Sequence, residues 1–223
     1  MTKVFLAMPS YLGHPAKETR QSLKNAREAL AKAGIPHVFA TQEGVCYICQ
    51  ARNILVKSFM ESDCTDFVFI DDDVSFAPDA LLKLLAQPHP LVAGIYRKKQ
   101  DPVAWPVNLV GPMVFDESGE CAEAHMLPTG FMRVKREVFE TLRTKVPHYR
   151  TDQYGDLVAY FMTGIRDGLF WGEDVAFTSA WRQCGGKLWA LLDVTLGHTA
   201  AKDGRTYRGN LAQYIAQHAQ RAA

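Results

Sequence analysis

The first half of the chain alternates between short apolar runs and segments with helical periodicity. Four apolar runs are typical of buried strands: Val4–Met8, His37–Ala40, Phe67–Ile70 and Leu91–Ile95. Three segments repeat apolar residues at spacings of three and four, which predicts helices: Pro15–Ala33, Ile48–Met60 and Pro78–Leu85. This β-α-β-α-β-α-β order predicts an α/β fold, with a parallel sheet and helices on both faces.

The second half is less regular. Its prolines make Pro102–Pro112 a loop or an edge strand, and Thr151–Phe161 has mixed polarity. Strands are predicted at Gly130–Val134 and Lys187–Val194, and helices at Arg136–Arg143, Val175–Cys184 and Leu211–Ala222. We expect this half to extend the same sheet with mixed strands.

Composition narrows the class of protein. The chain has 223 residues, 48% hydrophobic and 22% charged, which suits an ordinary globular domain. A net charge of +1 gives no footprint for nucleic acid or an anionic membrane, and the basic run Arg97–Lys99 is interpreted as a solvated loop. No apolar run approaches the ~18 residues that span a bilayer. We therefore expect a cytoplasmic protein, or one in a host cytoplasm if a phage encodes it.

The five cysteines are scattered along the chain. Cys46 and Cys49 form a lone CxxC with no second pair, which argues against a zinc site. An odd, scattered set also argues against a disulfide framework. We expect buried or half-buried thiols.

Three adjacent carboxylates, Asp71, Asp72 and Asp73, follow the strand Phe67–Ile70 directly. Neighbouring carboxylates repel one another, and a divalent cation offsets that repulsion. Oxygen ligands suit Mg²⁺ or Mn²⁺. Residues two apart in an extended segment point the same way, so we expect Asp71 and Asp73 to form a pair and Asp72 to face away, although the triple run leaves the register of the pair open.

Two later features add candidate chemistry. Glu173 and Asp174 follow Gly172 at the start of a predicted helix, where a carboxylate serves either as a general base or only as a favourable partner of the helix dipole. Trp171 beside them offers an apolar wall or a sugar-stacking face. His198 follows a predicted strand, where it is either a metal ligand or a structural residue.

Together these motifs resemble the GT-A glycosyltransferases, especially small family 2-like members, over residues 3–200. Six segments carry the resemblance: Val4–Ser10, Ala51–Asn53, Phe69–Asp73, Gly130–Met132, Gly172–Asp174 and Gly197–His198. The resemblance implies a GT-A-type, Rossmann-like domain at 1–200. Within it, 1–100 would bind the nucleotide-sugar and 101–200 the acceptor, and 201–223 would form a C-terminal loop and helix.

The resemblance also implies residue roles. Implied in nucleotide-sugar binding are Pro9, Ser10, Arg52, Asn53, Asp71 and Asp72. Implied as metal ligands are Asp73, His198 and Asp71. The catalytic pair would be Asp174, as base, and Glu173. The acceptor or sugar pocket would include Gly130, Trp171 and Gly172.

The implied activity is metal-dependent transfer of a sugar from a nucleotide-sugar, with a UDP-sugar favoured. The acceptor hydroxyl would belong to a glycan, a protein or a modified nucleic acid. The enzyme would invert configuration if Asp174 acts as base, and retention is the alternative. Three rivals stay open: a nucleotidyltransferase acting on sugar phosphates, a metal-dependent phosphatase or nuclease, and a non-catalytic nucleotide-sugar-binding module. The first lacks a glycine-rich phosphate loop near the first strand. The oligomeric state is left open.

Overall fold

The structure is a computed structural model and describes residues 2–222. The strands are β1 Val4–Pro9, β2 His37–Gln42, β3 Asp66–Ile70, β4 Val74–Phe76, β5 Leu91–Gly94, β6 Asn108–Leu109, β7 Cys121–Met126, β8 Phe131–Lys135, β9 His148–Thr151, β10 Gly155–Val158, β11 Gly164–Arg166, β12 Leu169–Trp171, β13 Leu188–Leu191, β14 Thr195–Thr199 and β15 Thr206–Asn210. The helices are α1 Lys17–Lys32, α2 Ile48–Met60, α3 Pro78–Ala86, α4 Arg136–Arg143, α5 Glu173–Gln183 and α6 Leu211–Ala222.

An eight-stranded sheet organises the chain, in the order β2-β1-β3-β8-β5-β13-β7-β6. β1 lies between β2 and β3 and is parallel to both, and β13 is parallel to β5. β8 is antiparallel to its neighbours β3 and β5, and β7 is antiparallel to β13. The predicted α/β fold with a mixed central sheet is confirmed: three of its seven strand pairs are parallel and four are antiparallel.

Helices cover both faces of this sheet because its central strands are apolar on both sides. Phe67 and Phe69 of β3 pack with apolar residues of α2, α4 and α5 on one face. Val68 and Ile70 pack with α1 and α3 on the other. All four side chains are fully buried, each contributing about 1.5–3 kcal/mol of hydrophobic stabilisation. This core fixes the position of the end of β3, where the three aspartates begin.

The segment Pro102–Pro112 contains the edge strand β6, one of the two forms predicted for it, and Thr151–Phe161 contributes to the hairpin of β9 and β10. Two local expectations need correction. α5 begins at Glu173, two residues earlier than predicted. Cys46 is exposed, although the thiols were expected to be at least half buried. None of the helices within residues 2–222 is long and apolar enough to cross a bilayer.

A second sheet of three strands, β15-β14-β4, brings a distant segment to the aspartates. β4 begins immediately after Asp73, and β14 pairs with it so that His198 lies opposite Val74. A Cβ on Gly197 would lie 2.4 Å from Ser75 Oγ, so the close approach of β14 to β4 requires glycine. His198 is therefore inside a strand rather than after one, and the pairing places it beside the end of β3.

Candidate active site

The three aspartates after β3 reach three different partners. The chain turns as it leaves the strand, and the Val74 N–H donates to the Asp71 carbonyl at 3.1 Å. Asp71 pairs with Arg52, whereas Asp72 and Asp73 line one cavity. The charges of both Asp71 and Asp73 act on His198, and the pairing of these two carboxylates on one metal ion stays a prediction.

Arg52 of α2 joins the acidic groups on one side of the site. Its Nη2 lies 3.0 Å and 3.2 Å from the two carboxylate oxygens of Asp71, and its Nε lies 3.5 Å from Glu173 Oε1. Burial alone would lower the pKa of Arg52, but Asp71 and Glu173 outweigh that effect and the pKa is raised. Through these two ion pairs, the guanidinium of Arg52 links α2 to the end of β3 and to the start of α5.

Gly130 permits the close packing around Asp71. Its carbonyl accepts the Asp71 N–H at 3.0 Å, and a Cβ at this position would lie 2.8 Å from both Asp71 Oδ2 and Tyr96 Oη. Burial, together with the charge of Asp71, raises the pKa of Tyr96 well above its ordinary value, so the phenol stays neutral. Gly130 thus lies against the side chains of Asp71 and Tyr96, and its place in the acceptor or sugar pocket stays a prediction.

Asp72 faces the loop that follows β1. Ser10 Oγ donates to Asp72 Oδ2 at 2.6 Å, and burial raises the pKa of Asp72, with Asp73 and Asp71 adding to the shift. Asp72 and Asp73 line a cavity of about 630 Å³ together with the exposed Tyr11. Pro9 is buried at the end of β1 and does not line this cavity. Tyr11 is a feature that the sequence analysis did not identify.

Asp73 lies between His198 and Lys99. His198 Nε2 is 3.5 Å from Asp73 Oδ1, and Lys99 Nζ forms a salt bridge with Asp73 Oδ2. His198 Nδ1 lies 2.8 Å from the Arg97 carbonyl, which can only accept, so Nδ1 carries the proton and Nε2 presents a lone pair. Burial lowers the pKa of His198, although Asp73 opposes the shift. Of the predicted metal ligands, Asp73 and His198 are thus brought together.

Asp174 lies in the first turn of α5, next to Glu173. Its Oδ1 accepts the Val175 N–H at 2.7 Å. The helix N-terminus was expected to favour the ionised form, but burial raises the pKa of Asp174, and the charge of Glu173 adds to that shift. Gly172 is the N-cap residue, and the ring of Trp171 lies 4.9 Å below the Arg166 guanidinium.

Asn53 has a different environment from the one predicted. Its amide donates to the Phe161 carbonyl at 3.0 Å and accepts the Phe161 N–H at 2.9 Å, and the side chain is buried. Both halves of the amide therefore fix the main chain of the segment after β10. The structure places Asn53 in a supporting position and brings Arg52, its neighbour, to the acidic cluster.

One trio of potential metal-ligating groups in residues 2–222 has its ligand atoms within 4.8 Å of one another: His89, Asp116 and Cys121. None of the three was identified from the sequence as a metal ligand. His89 Nε2 lies 2.9 Å from Asp116 Oδ2, and the Cys121 thiol donates to Gln87 Oε1 at 3.3 Å. Burial raises the pKa of Cys121 to about 12, which favours the thiol over the metal-binding thiolate.

No protein-family model matches the chain, and no curated protein matches it. Solved structures do share its fold. A197 from STIV is 18% identical, over 94% of this chain and 95% of that chain, with a TM-score of 0.54. GalNAc-T7 with UDP, GalNAc and Mn²⁺ is 12% identical, over 91% of this chain and 44% of that one, with a TM-score of 0.55. A mutant Drosophila β1,4-galactosyltransferase 7 with manganese, UDP-Gal and xylobiose is 16% identical, over 96% and 74%, with a TM-score of 0.50.

These two transferases are GT-A enzymes. The chain has a GT-A fold. Sheets with parallel strands bind ligands at the carboxyl ends of those strands, and Ser10, Asp71–Asp73 and Lys99 follow the ends of β1, β3 and β5. In this GT-A fold the candidate active site therefore lies where the architecture favours it, and the roles of single residues rest on the contacts described above.

Proposed function

We propose that this chain is a glycosyltransferase that binds a divalent cation and moves a sugar from a nucleotide-sugar to an acceptor hydroxyl. The observation that carries the proposal is the approach of His198 Nε2 to within 3.5 Å of Asp73 Oδ1. Two acceptor atoms that face each other favour a cation between them. An imidazole nitrogen and a carboxylate oxygen are both accepted ligands of divalent metals.

The side chains of Asp73 and His198 fit as ligands of Mn²⁺ or Mg²⁺. Water and a phosphate of the nucleotide-sugar would complete the coordination shell. Such an ion would neutralise charge on the departing diphosphate. GalNAc-T7 was solved with UDP and Mn²⁺, which supports a UDP-sugar and Mn²⁺ as the first pair to test. The cavity of about 630 Å³ beside Asp72 and Asp73 is large enough for part of a nucleotide.

The chain's own residues supply the remaining chemistry. Arg52 fixes the carboxylates of Asp71 and Glu173, and Ser10 orients Asp72. Asp174 is the base that removes the proton of the acceptor hydroxyl, which corresponds to an inverting reaction. Its raised pKa makes it a stronger base than an ordinary carboxylate. Trp171 and Gly172 would border the acceptor, which we propose to be a glycan, a protein or a modified nucleic acid.

A thermal-shift screen tests the proposal, with UDP-, GDP-, CDP- and TDP-sugars added with and without Mn²⁺. Ligand binding to the native state at 100 times its dissociation constant stabilises by about 2.7 kcal/mol. We expect one nucleotide class to raise the melting temperature only with Mn²⁺, and Asp73→Asn to abolish that shift. Asp156→Asn is the control, because this carboxylate is exposed and pairs with the exposed Arg150 away from the candidate site.

Two results would contradict the proposal. One is an absence of any Mn²⁺-dependent shift with all four donors. The other is a wild-type shift in Asp73→Asn, which would remove Asp73 from the metal site. Release of free nucleotide from the stabilising donor, measured with and without candidate acceptors, then separates a transferase from a binding module.

A further inference from the structure

The loop after β5 carries a basic side chain into the candidate active site. Lys99 Nζ forms a salt bridge with Asp73 Oδ2, and both side chains are 29% exposed. Hydrogen bonds and ion pairs hold this loop in place. The Lys98 N–H donates to the Ala104 carbonyl at 2.8 Å, and Asp101 accepts from Arg97 at 3.1 Å and from Arg205 at 2.7 Å. The interpretation of 97–99 as a solvated loop is therefore corrected for Lys99, whereas Lys98 is exposed as expected.

The same loop also orients the candidate metal ligand on β14. The Arg97 carbonyl accepts from His198 Nδ1 at 2.8 Å, which directs Nε2 toward Asp73 Oδ1. Asp73 therefore has one oxygen near a histidine lone pair and the other on an ammonium. A divalent cation on Asp73 would be repelled by an ammonium on the same carboxylate, because two positive charges this close to each other repel strongly even at a protein surface.

We propose that Lys99 is a positioning residue for the leaving diphosphate, an inference that rests on the proposed function. In the donor-free protein Lys99 neutralises Asp73. When the divalent cation binds Asp73 and His198, the ammonium moves to the donor phosphates, which then carry the nearest uncompensated negative charge. Lysine suits this movement because it is a point charge on a flexible stem and a common phosphate binder.

The rest of the basic run is not available for this role. The guanidinium of Arg97 forms an ion pair with Asp101, and the main-chain carbonyl of Arg97 accepts a hydrogen bond from His198. Lys98 is exposed and its main chain is fixed by Ala104. The rival explanation is that Lys99 replaces the metal altogether. The lone pair of His198 Nε2 near the other oxygen of Asp73 disfavours it, because the ammonium leaves that pair of acceptors without a cation.

Two binding measurements on the full chain separate these explanations. Mn²⁺ binding without nucleotide is followed by electron paramagnetic resonance, and UDP binding at saturating Mn²⁺ by calorimetry. Removal of a competing ion pair should make Lys99→Gln bind Mn²⁺ about threefold tighter than wild type. Loss of a charged hydrogen bond to phosphate should make its UDP affinity about tenfold weaker. Lys98→Gln, the matched control, should change neither, and Lys99→Arg should retain most of the UDP affinity.

A change of opposite sign in the two affinities supports the proposal, because a merely structural lysine would weaken both. Unchanged Mn²⁺ affinity in Lys99→Gln overturns it. Tighter Mn²⁺ binding with unchanged UDP affinity overturns the movement to phosphate. UDP binding by wild type that needs no metal, and is lost in Lys99→Gln, shows instead that Lys99 replaces the ion. Failure of the proposed function appears in wild type as no UDP binding, whereas failure of this inference leaves the UDP binding of wild type intact and appears only when Lys99→Gln is compared with wild type.

Discussion

At the scale of single residues, Asp174 is the carboxylate that we propose as the general base. Burial raises its pKa above the ordinary 3.8. We predict that Asp174→Asn lowers kcat by ~10² or more, the usual worth of a general base, with little change in the binding of UDP and Mn²⁺. Asparagine keeps the shape and can still accept the Val175 N–H, so the helix start is preserved. Initial rates with the donor identified by the thermal screen measure the effect.

The same shift fixes the expected pH dependence. A base must be deprotonated to act, so kcat should fall as the pH drops through the raised pKa of Asp174. The acidic limb should therefore lie above the range of an ordinary carboxyl group and should vanish in the residual rate of Asp174→Asn. A rate within a few-fold of wild type in that variant would reduce Asp174 to a helix-start residue and direct attention to Glu173 or to a retaining reaction.

Gly130 is a residue whose importance lies in the space it leaves empty. Because a Cβ would lie 2.8 Å from Asp71 Oδ2, Gly130→Ala should push Asp71 away from Arg52. We predict a loss of donor binding of about tenfold or more, in line with the ~1–3 kcal/mol expected when a packed group is displaced. Gly164→Ala is the control, since a Cβ there meets nothing within 4 Å. Calorimetric titration with UDP and Mn²⁺ compares the two, and equal affinities would show that Asp71 tolerates the displacement.

At the scale of elements, Asn53 connects α2 to the segment after β10. Its replacement by leucine keeps a similar volume but leaves the buried N–H and carbonyl of Phe161 without their partner. We predict a loss of about 2 kcal/mol of unfolding free energy, with UDP affinity unchanged once the variant is folded. Urea denaturation and calorimetry measure the two quantities. Weaker UDP binding with unaltered stability would return Asn53 to the nucleotide site implied by the family resemblance.

Most regular elements could be predicted because their signals are local. α2 and α4 have the predicted bounds, since their apolar residues repeat at helical spacing over the whole element. Eight strands were not predicted: β4, β7, β9, β10, β11, β12, β14 and β15. β4 is three residues long and exists through its pairing with β14, more than a hundred residues away. Such short strands depend on tertiary pairing rather than on their own pattern.

The candidate site was predictable as a set of acids but not as a geometry. Local motifs identified the acids: Asp71–Asp73 directly follow an apolar strand, and Glu173 and Asp174 stand at the start of a predicted helix. The partners of each acid depend on long-range pairing. The turn after β3 sends Asp71 to Arg52, and the loop after β5 delivers Lys99 to Asp73. A basic run in a loop carries no local signal for that contact.

At the scale of the whole molecule, the two halves of the chain are interleaved rather than adjacent. β3 and β5 belong to the first hundred residues, but they do not pair with each other; β8, from the second half, lies between them and pairs with both. The same interleaving builds the site, because β14 brings His198 to Asp73. The predicted division into 1–100 and 101–200 therefore describes expected binding roles, not units that would fold separately.

Interleaving leads to a prediction about unfolding. Without β8, the fragment 1–100 would expose the edges of β3 and β5 and the apolar faces that its strands share with α4 and α5. We predict that this fragment shows no cooperative thermal transition, whereas the full chain unfolds in one step.

Two spectroscopic probes test this prediction, because all four tryptophans lie in the second half: Trp105, Trp171, Trp181 and Trp189. Tryptophan fluorescence therefore reports that half, and far-ultraviolet circular dichroism reports both. The two midpoints should coincide in the full chain. If the fluorescence transition preceded the dichroism transition by several degrees, or if the fragment melted cooperatively, the first half would be an independent folding unit and β8 would be dispensable to it.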